Sequence, residues 1–152
     1  MGIHGAGDNS HHWGWYIQNL LGAEFSHHPI EKHIQETDVL LDNQVDSLLS
    51  YQILTKWSHA DEWYVFLENP RTRGFNILYT INGDSINPSG NMTLLASDKN
   101  FGMGKNHPVA WSKQIGKGKT FYTSMGHDET AWKDENFIKL IENGIKWTQV
   151  KK

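Results

Sequence analysis

The chain has 152 residues, enough for one domain with a substantial core, and is 38% hydrophobic and 20% charged, as expected of a soluble globular protein. A net charge of −3, with no basic run beyond Lys151-Lys152, argues against nucleic acid as a partner. The chain has no cysteine, which excludes disulfides, thiolate metal sites and a Cys nucleophile, and no run of eighteen apolar residues, so no membrane span is expected; the compartment stays open.

In chain order, Met1–Asp8 (MGIHGAGD) reads as the end of a buried strand opening into a glycine-rich turn. A helix is expected from about Ser10 or His12 to Leu21, with Trp13, Ile17, Leu20 and Leu21 on one face, Ser10 as its cap and Gly22 as its stop. Phe25–Pro29 is a loop, in which Pro29 pushes His28 towards extended geometry. Ile30–Leu41 reads as a strand with an unclear end, and Asp42–Ser50 as a helical turn. Tyr51–Trp57 and Glu62–Leu67 are β-like, with His59-Ala60-Asp61 between them. Phe75–Ile81 is the strongest strand, rich in branched and aromatic residues. Ser85–Lys105 is a long irregular stretch. Val109–Ile115 and Lys119–Ser124 then form a hairpin across Gly116-Lys117-Gly118. The last element, about Asp134 to Val150, is an amphipathic helix capped by Asp134, with Phe137, Ile138, Ile141, Ile145 and Thr148 as its buried stripe.

Chemistry concentrates in the nine histidines and the acids near them. The strand through Thr120–Ser124 runs into Met125-Gly126 and presents His127, Asp128 and Glu129 at once, a common way to place reactive groups at the carboxyl edge of a sheet. His4, His28, His59, His107 and His127 all fall at expected turns or strand ends. Imidazole there can act as a general base or as a metal ligand. Asp8, Asp61, Glu62, Asp128 and Glu129 lie close in sequence, which allows proton transfer or metal-assisted hydrolysis as well as a purely structural role. No HExxH-type spacing fixes a metal. His11, His12, His27 and His33 are expected to be surface histidines without a role. Asp61-Glu62-Trp63-Tyr64 sets two acids beside two aromatics, the pairing of a sugar site and equally of a strand edge with a half-buried Trp.

GIHGAGD, WYIQNLLGAEFSHHP, DEWYVFLENPR, NILYT, HPVAW, GKGKTFYTSMGHDETAW and the terminal Ile-Trp helix occur in this order over nearly the whole chain. Together they resemble the ThuA-like (trehalose-utilisation) family, of the class I glutamine amidotransferase-like superfamily. The resemblance implies an α/β, flavodoxin-like three-layer sandwich. It also implies an N-terminally truncated single domain, residues 1–152, lacking the first strand–helix units, which leaves three outcomes open: strand exchange or homodimerisation, a rearranged core, or a partner that supplies the missing half. His4 falls where true amidotransferases carry their Cys nucleophile, so glutamine hydrolysis by that route is not expected.

The family's late histidine falls on His127, and its other motif positions on His28, Asp61, Glu62, His107 and Trp111. What this implies is carbohydrate processing, by hydrolysis or elimination on trehalose-type or 3-keto glycosides. His127 would be the base or a metal ligand, with His4 and Glu129 as its catalytic partners. Asp61, Glu62 and His107 would bind a small-molecule sugar, and Trp111 would stack on it. A divalent transition metal would be held by His28 and His127. The alternative is a non-catalytic carbohydrate-binding or assembly domain.

Overall fold

The computed structural model describes residues 1–8, 12–42, 46–87 and 103–150. The expected cap Ser10 and most of the irregular Ser85–Lys105 stretch lie outside the described residues. Among the described residues, eight strands are arranged in a six-stranded sheet of order β1-β8-β7-β6-β3-β4 and a two-stranded ribbon β2-β5. Their ranges are β1 Gly2–Ile3, β2 Phe25–His27, β3 Gln35–Leu41, β4 Lys56–Asp61, β5 Val65–Phe66, β6 Asn76–Asn82, β7 Asn106–Ile115 and β8 Gly118–Thr123. The expected hairpin is β7–β8, antiparallel with Ile115 opposite Gly118, and the expected strongest strand is β6.

The sheet is mixed. β1 pairs with β8 in parallel, while β8–β7, β7–β6, β6–β3 and β3–β4 are antiparallel. The mostly parallel order expected of a flavodoxin-like sheet is therefore met only at the β1 edge. The directions still have one consequence for function. β1, β8 and β4 run the same way, so their carboxyl ends share one rim. On a flat sheet the first and last strands would stand roughly 24 Å apart, at about 4.8 Å per spacing. Yet His4, just after β1, touches Glu62, just after β4, at 2.9 Å. The sheet must curl strongly to bring these ends together, in the sense that strand twist allows.

Alternation along β8 builds a core on each face. Phe121 joins a cluster with Val39, Trp57, Phe137 and Leu140, whereas its neighbour Tyr122 joins one with Leu21, Phe25, Phe66 and Trp111. The first cluster lies under the terminal helix α2, Glu135–Gln149. Asp134 caps that helix as expected, accepting the N–H groups of Asn136 and Phe137. The buried stripe is turned from the expected one. Phe137 and Ile141 are buried, but Leu140, Gly144 and Trp147 complete the stripe, and Ile145 is exposed. Gly144 explains the rotation: a Cβ there would stand 3.0 Å from the Phe121 ring, so the helix seats its smallest residue on the strand.

The second cluster is covered by the first helix, which is shorter and more irregular than its periodicity suggests. Gly14–Tyr16 is α-helical (α1), and Ile17–Leu21 continues as a π turn. Gly22 closes it at φ +90°, its N–H reaching the Ile17 carbonyl at 2.7 Å. Sheet side chains take the carbonyls left over: Trp111 Nε1 donates to Leu21, and Thr120 Oγ1 to Leu20. Ile17 and Leu21 are buried, while Trp13 is exposed.

The largest local departure is at His59-Ala60-Asp61. This segment is not a connection but the end of β4, with Trp57, His59 and Asp61 facing inward in alternation. Buried polar residues that pair with one another resemble loop chemistry when only the sequence is in view. Among the described residues no helix is long and apolar enough to cross a membrane.

Candidate functional site

Glu62 leaves β4 into the interior at the common rim, its side chain only 3% exposed. Each of its oxygens meets two imidazoles. Oε2 lies 2.9 Å from His4 Nε2 and 3.1 Å from His127 Nδ1. Oε1 lies 3.0 Å from His28 Nδ1 and 3.1 Å from His33 Nδ1. The imidazoles also touch each other, His127 Nδ1 at 3.0 Å from His4 Nε2 and His127 Nε2 at 3.0 Å from His33 Nε2. Four histidines from distant parts of the chain thus converge on one buried carboxylate.

Local structure explains each position. β1 ends in a 3₁₀ turn, His4–Ala6, and His4 itself sits at φ 39°, a left-handed geometry that a non-glycine residue adopts only under outside constraint. The constraint is visible. His4 Nδ1 donates to the Ser124 carbonyl at 2.7 Å, and its own carbonyl accepts from Tyr122 Oη at 2.9 Å and from the Gly7 N–H at 2.8 Å. Tyr64 lies against the His4 ring, 4.1 Å between centroids. His127 follows Gly126, whose φ of +109° turns the chain off β8 and whose missing Cβ leaves room for Phe137 and Ile3. His28 and His33 come from the connection after β2, and with His127 they form the solvent side of the cluster, His33 being 44% and His127 37% exposed.

Electrostatics follow the geometry. Burial alone would raise the Glu62 carboxyl and lower the His4 imidazole. The hydrogen bond between them, with Ser124 and Asp61 aiding His4 and the other histidines aiding Glu62, reverses both shifts. His4 is raised and Glu62 lowered, so Glu62 is held as a carboxylate.

A second layer supports the first. Asp61 is fully buried, and its oxygens accept the N–H groups of Glu62 at 2.9 Å, Gly126 at 2.6 Å and His127 at 3.0 Å. His59 bridges Asp61 Oδ2, at 3.1 Å, and Asp134 Oδ2, at 2.6 Å. Burial would lower the His59 imidazole, but the two carboxylates raise it, as suits a cation donating from both nitrogens.

The expected site residues thus fall into three groups. His4, His28, His127 and Glu62 come together, and His33, expected to be an idle surface residue, joins them. Asp61 stands behind the site with its oxygens occupied, so no sugar hydroxyl reaches it in this arrangement. His107 and Trp111 are core residues. His107 Nε2 donates to the Tyr64 carbonyl at 2.9 Å, and burial pushes its imidazole down to about 4. Trp111 is fully buried with no face open for stacking. Glu129 is 85% exposed and pairs with Lys133, apart from the cluster. His27 is buried against Ser26, whereas His12 is exposed; His11 lies outside the described residues. Sequence spacing could not have found His33 or the His59–Asp134 pair, since nothing local links residues 33, 59, 127 and 134.

The donor set of imidazole nitrogens and a carboxylate oxygen, with no thiolate, suits a divalent transition metal. Two overlapping groups have that composition, His4-Glu62-His127 and His28-His33-Glu62.

The chain also has known likenesses. No curated protein matches it. A ThuA-like protein of Bacteroides uniformis, solved by crystallography, superposes with a TM-score of 0.70 at 24% identity, covering 97% of this chain and 56% of that one. A ThuA-like protein of Parabacteroides merdae superposes with a TM-score of 0.63 at 17% identity, covering 96% and 58%. This chain therefore spans little more than half the length of those structures, and the likeness shows a common fold. Residues 1–148 match the family described as ThuA, trehalose utilisation, and by that match over nearly its whole length the chain belongs to the ThuA family.

Proposed function

We propose that the rim cluster around Glu62 is a catalytic centre for carbohydrate processing, acting by hydrolysis or elimination on 3-keto or trehalose-type glycosides. The observation that carries this reading is the convergence of four imidazoles on one buried carboxylate at the carboxyl ends of β1, β4 and β8. The family description, trehalose utilisation, supplies the substrate class.

The chemistry asks for what the cluster offers. A ketone at C3 acidifies the proton on C2. A base removes that proton, the electron pair forms the C1–C2 double bond, and the C1–oxygen bond breaks as an acid protonates the departing oxygen. Water then adds at C1 while C2 regains a proton, which makes the net reaction hydrolysis; without that second stage it is elimination. His28 and His33, on the solvent side and both against Glu62 Oε1, are the proton-transfer groups in this reading. General acid–base groups of this kind contribute about 10²–10⁴-fold.

The test is to incubate the protein with trehalose and with its 3-keto derivative and follow released sugar by NMR. Turnover of the keto sugar, lost in Glu62→Gln, is the expected result. Saturable binding with no product would replace the catalytic reading with that of a carbohydrate-binding domain.

A further inference from the structure

The geometry points to a mononuclear divalent transition-metal site whose ligands are His4 Nε2, Glu62 Oε2 and His127 Nδ1. These three atoms form a nearly equilateral triangle with sides of 2.9, 3.1 and 3.0 Å. Two donors about 2.1 Å from one ion and at right angles to each other lie about 3.0 Å apart, whereas a tetrahedral pair lies about 3.4 Å apart. The triangle therefore has the size of one face of an octahedron. Two imidazoles and one carboxylate on such a face are a known donor set for first-row divalent ions, and the nitrogen majority disfavours calcium and magnesium.

One assignment of the surrounding hydrogen bonds leaves the three atoms of the triangle as lone-pair donors. His4 gives its Nδ1 proton to the Ser124 carbonyl, so its neutral form presents Nε2 bare. On the far side, His127 Nε2–H can donate to His33 Nε2, and His33 Nδ1–H then donates to Glu62 Oε1. That chain leaves His127 Nδ1 bare. His28 Nδ1–H donates to the Pro29 carbonyl at 3.2 Å and to Glu62 Oε1. With this assignment every surrounding contact has one donor and one acceptor, and three lone pairs face one point. Lone pairs so placed repel one another unless a cation sits among them. A proton on His4 Nε2 is the competing cation, since it would be shared with Glu62 Oε2 and His127 Nδ1. The partners that fix the tautomers, Ser124 and His33, are of the kind that orients metal-binding histidines.

The metal assignment stands apart from the sugar reading. Where both hold, an ion on these three ligands has positions left for an oxygen of the keto sugar, and proton transfer is left to His28 and His33.

The experiment is elemental analysis of protein purified without a histidine tag, followed by chelation and Co²⁺ titration read by visible absorption. Near-stoichiometric first-row metal in the wild type is expected, with both metal content and cobalt bands lost in His4→Gln and Glu62→Gln. His33→Ala, which keeps all three ligands, should weaken Co²⁺ binding about 10–100-fold. Folding of each variant is checked by circular dichroism. If a variant fails to fold, the wild type still decides: folded protein that carries no metal and gives no cobalt bands holds a proton instead, and the inference falls. Full metal content in folded His4→Gln or Glu62→Gln would also overturn it. Metal bound without sugar turnover removes the proposed reaction and leaves the site; turnover by metal-free protein does the reverse.

Discussion

Asp61 Oδ1 accepts the backbone N–H of His127 at 3.0 Å, so a carboxylate with no exposed surface fixes where the chain leaves β8. The same group holds the Gly126 and Glu62 amides and the His59 ring, and His59 passes the connection to Asp134, the cap of α2. Trp57 Nε1 also donates to Asp134, at 3.0 Å. The position of the rim cluster is thereby tied to the helix that fills the curl of the sheet.

His59→Gln should therefore unfold more easily than the wild type. It removes the cation between the buried Asp61 and the partly buried Asp134 carboxylates, and breaking a buried set by deleting one member costs about 3–5 kcal/mol. Urea denaturation at neutral pH reads the difference. A loss below about 1 kcal/mol would show that water or relaxation replaces the imidazole.

The pH dependence of that difference has a defined sign. The His59 imidazole is raised in the folded protein, burial opposing and Asp61 and Asp134 prevailing. Its contribution is fully present below the unfolded value of about 6.5 and is lost as pH rises through the folded value. The gap between wild type and His59→Gln should narrow on going alkaline, when denaturation is repeated across pH.

His107 should behave in the opposite way. Burial pushes its imidazole down to about 4, so the folded state keeps it neutral where the unfolded chain is already protonated. Stability is lost as pH falls from about 6.5 towards 4, by about 3 kcal/mol for this one group over the full window. His107→Gln can still donate to the Tyr64 carbonyl and does not titrate. It should lose less stability than the wild type on acidification, measured by thermal unfolding at a series of pH values.

Much of this was legible in the residues. The β7–β8 hairpin, β6, the Asp134 cap and the presentation of His127 after Gly126 follow from turn chemistry and periodicity, which are local. The failures have a common cause. His59 and Asp61 looked like loop residues because their partners, Asp134 and the Gly126–His127 amides, are more than sixty residues away in sequence. His33 looked idle for the same reason. The family resemblance makes Trp111 a sugar platform, but burial cannot be read from a motif match, and the helix carbonyl that its indole satisfies belongs to Leu21.

Gly126→Ala is the sharpest test of how the turn serves the site. Its φ of +109° is outside the range an L-residue adopts readily, and the new Cβ would stand 3.0 Å from Phe137 and 3.1 Å from Ile3. The strain costs on the order of 1–3 kcal/mol. Because the adjacent amide is bound to Asp61, relief of strain should shift His127. Turnover of the keto sugar should then fall by more than the loss of folded protein accounts for, when assayed well below the melting temperature.

Trp132 offers the proposed reading an exposed aromatic ring next to the turn that carries His127. Its indole is 45% exposed, packs edge-on against Phe137 and donates from Nε1 to the Gly126 carbonyl at 3.2 Å, one residue before His127. That hydrogen bond ties the ring to the turn that carries His127, and in the proposed reading the exposed ring is a surface for the sugar. Aromatic contacts of this kind contribute about 0.5–1.5 kcal/mol. Trp132→Ala should therefore raise the KM for the keto sugar by about two- to tenfold, with kcat changing less. Trp132→Phe keeps a ring and gives up the hydrogen bond, so it should recover part of the loss. An unchanged KM in Trp132→Ala would place the sugar against the other side of the rim, where His33 is exposed and His28 half-buried.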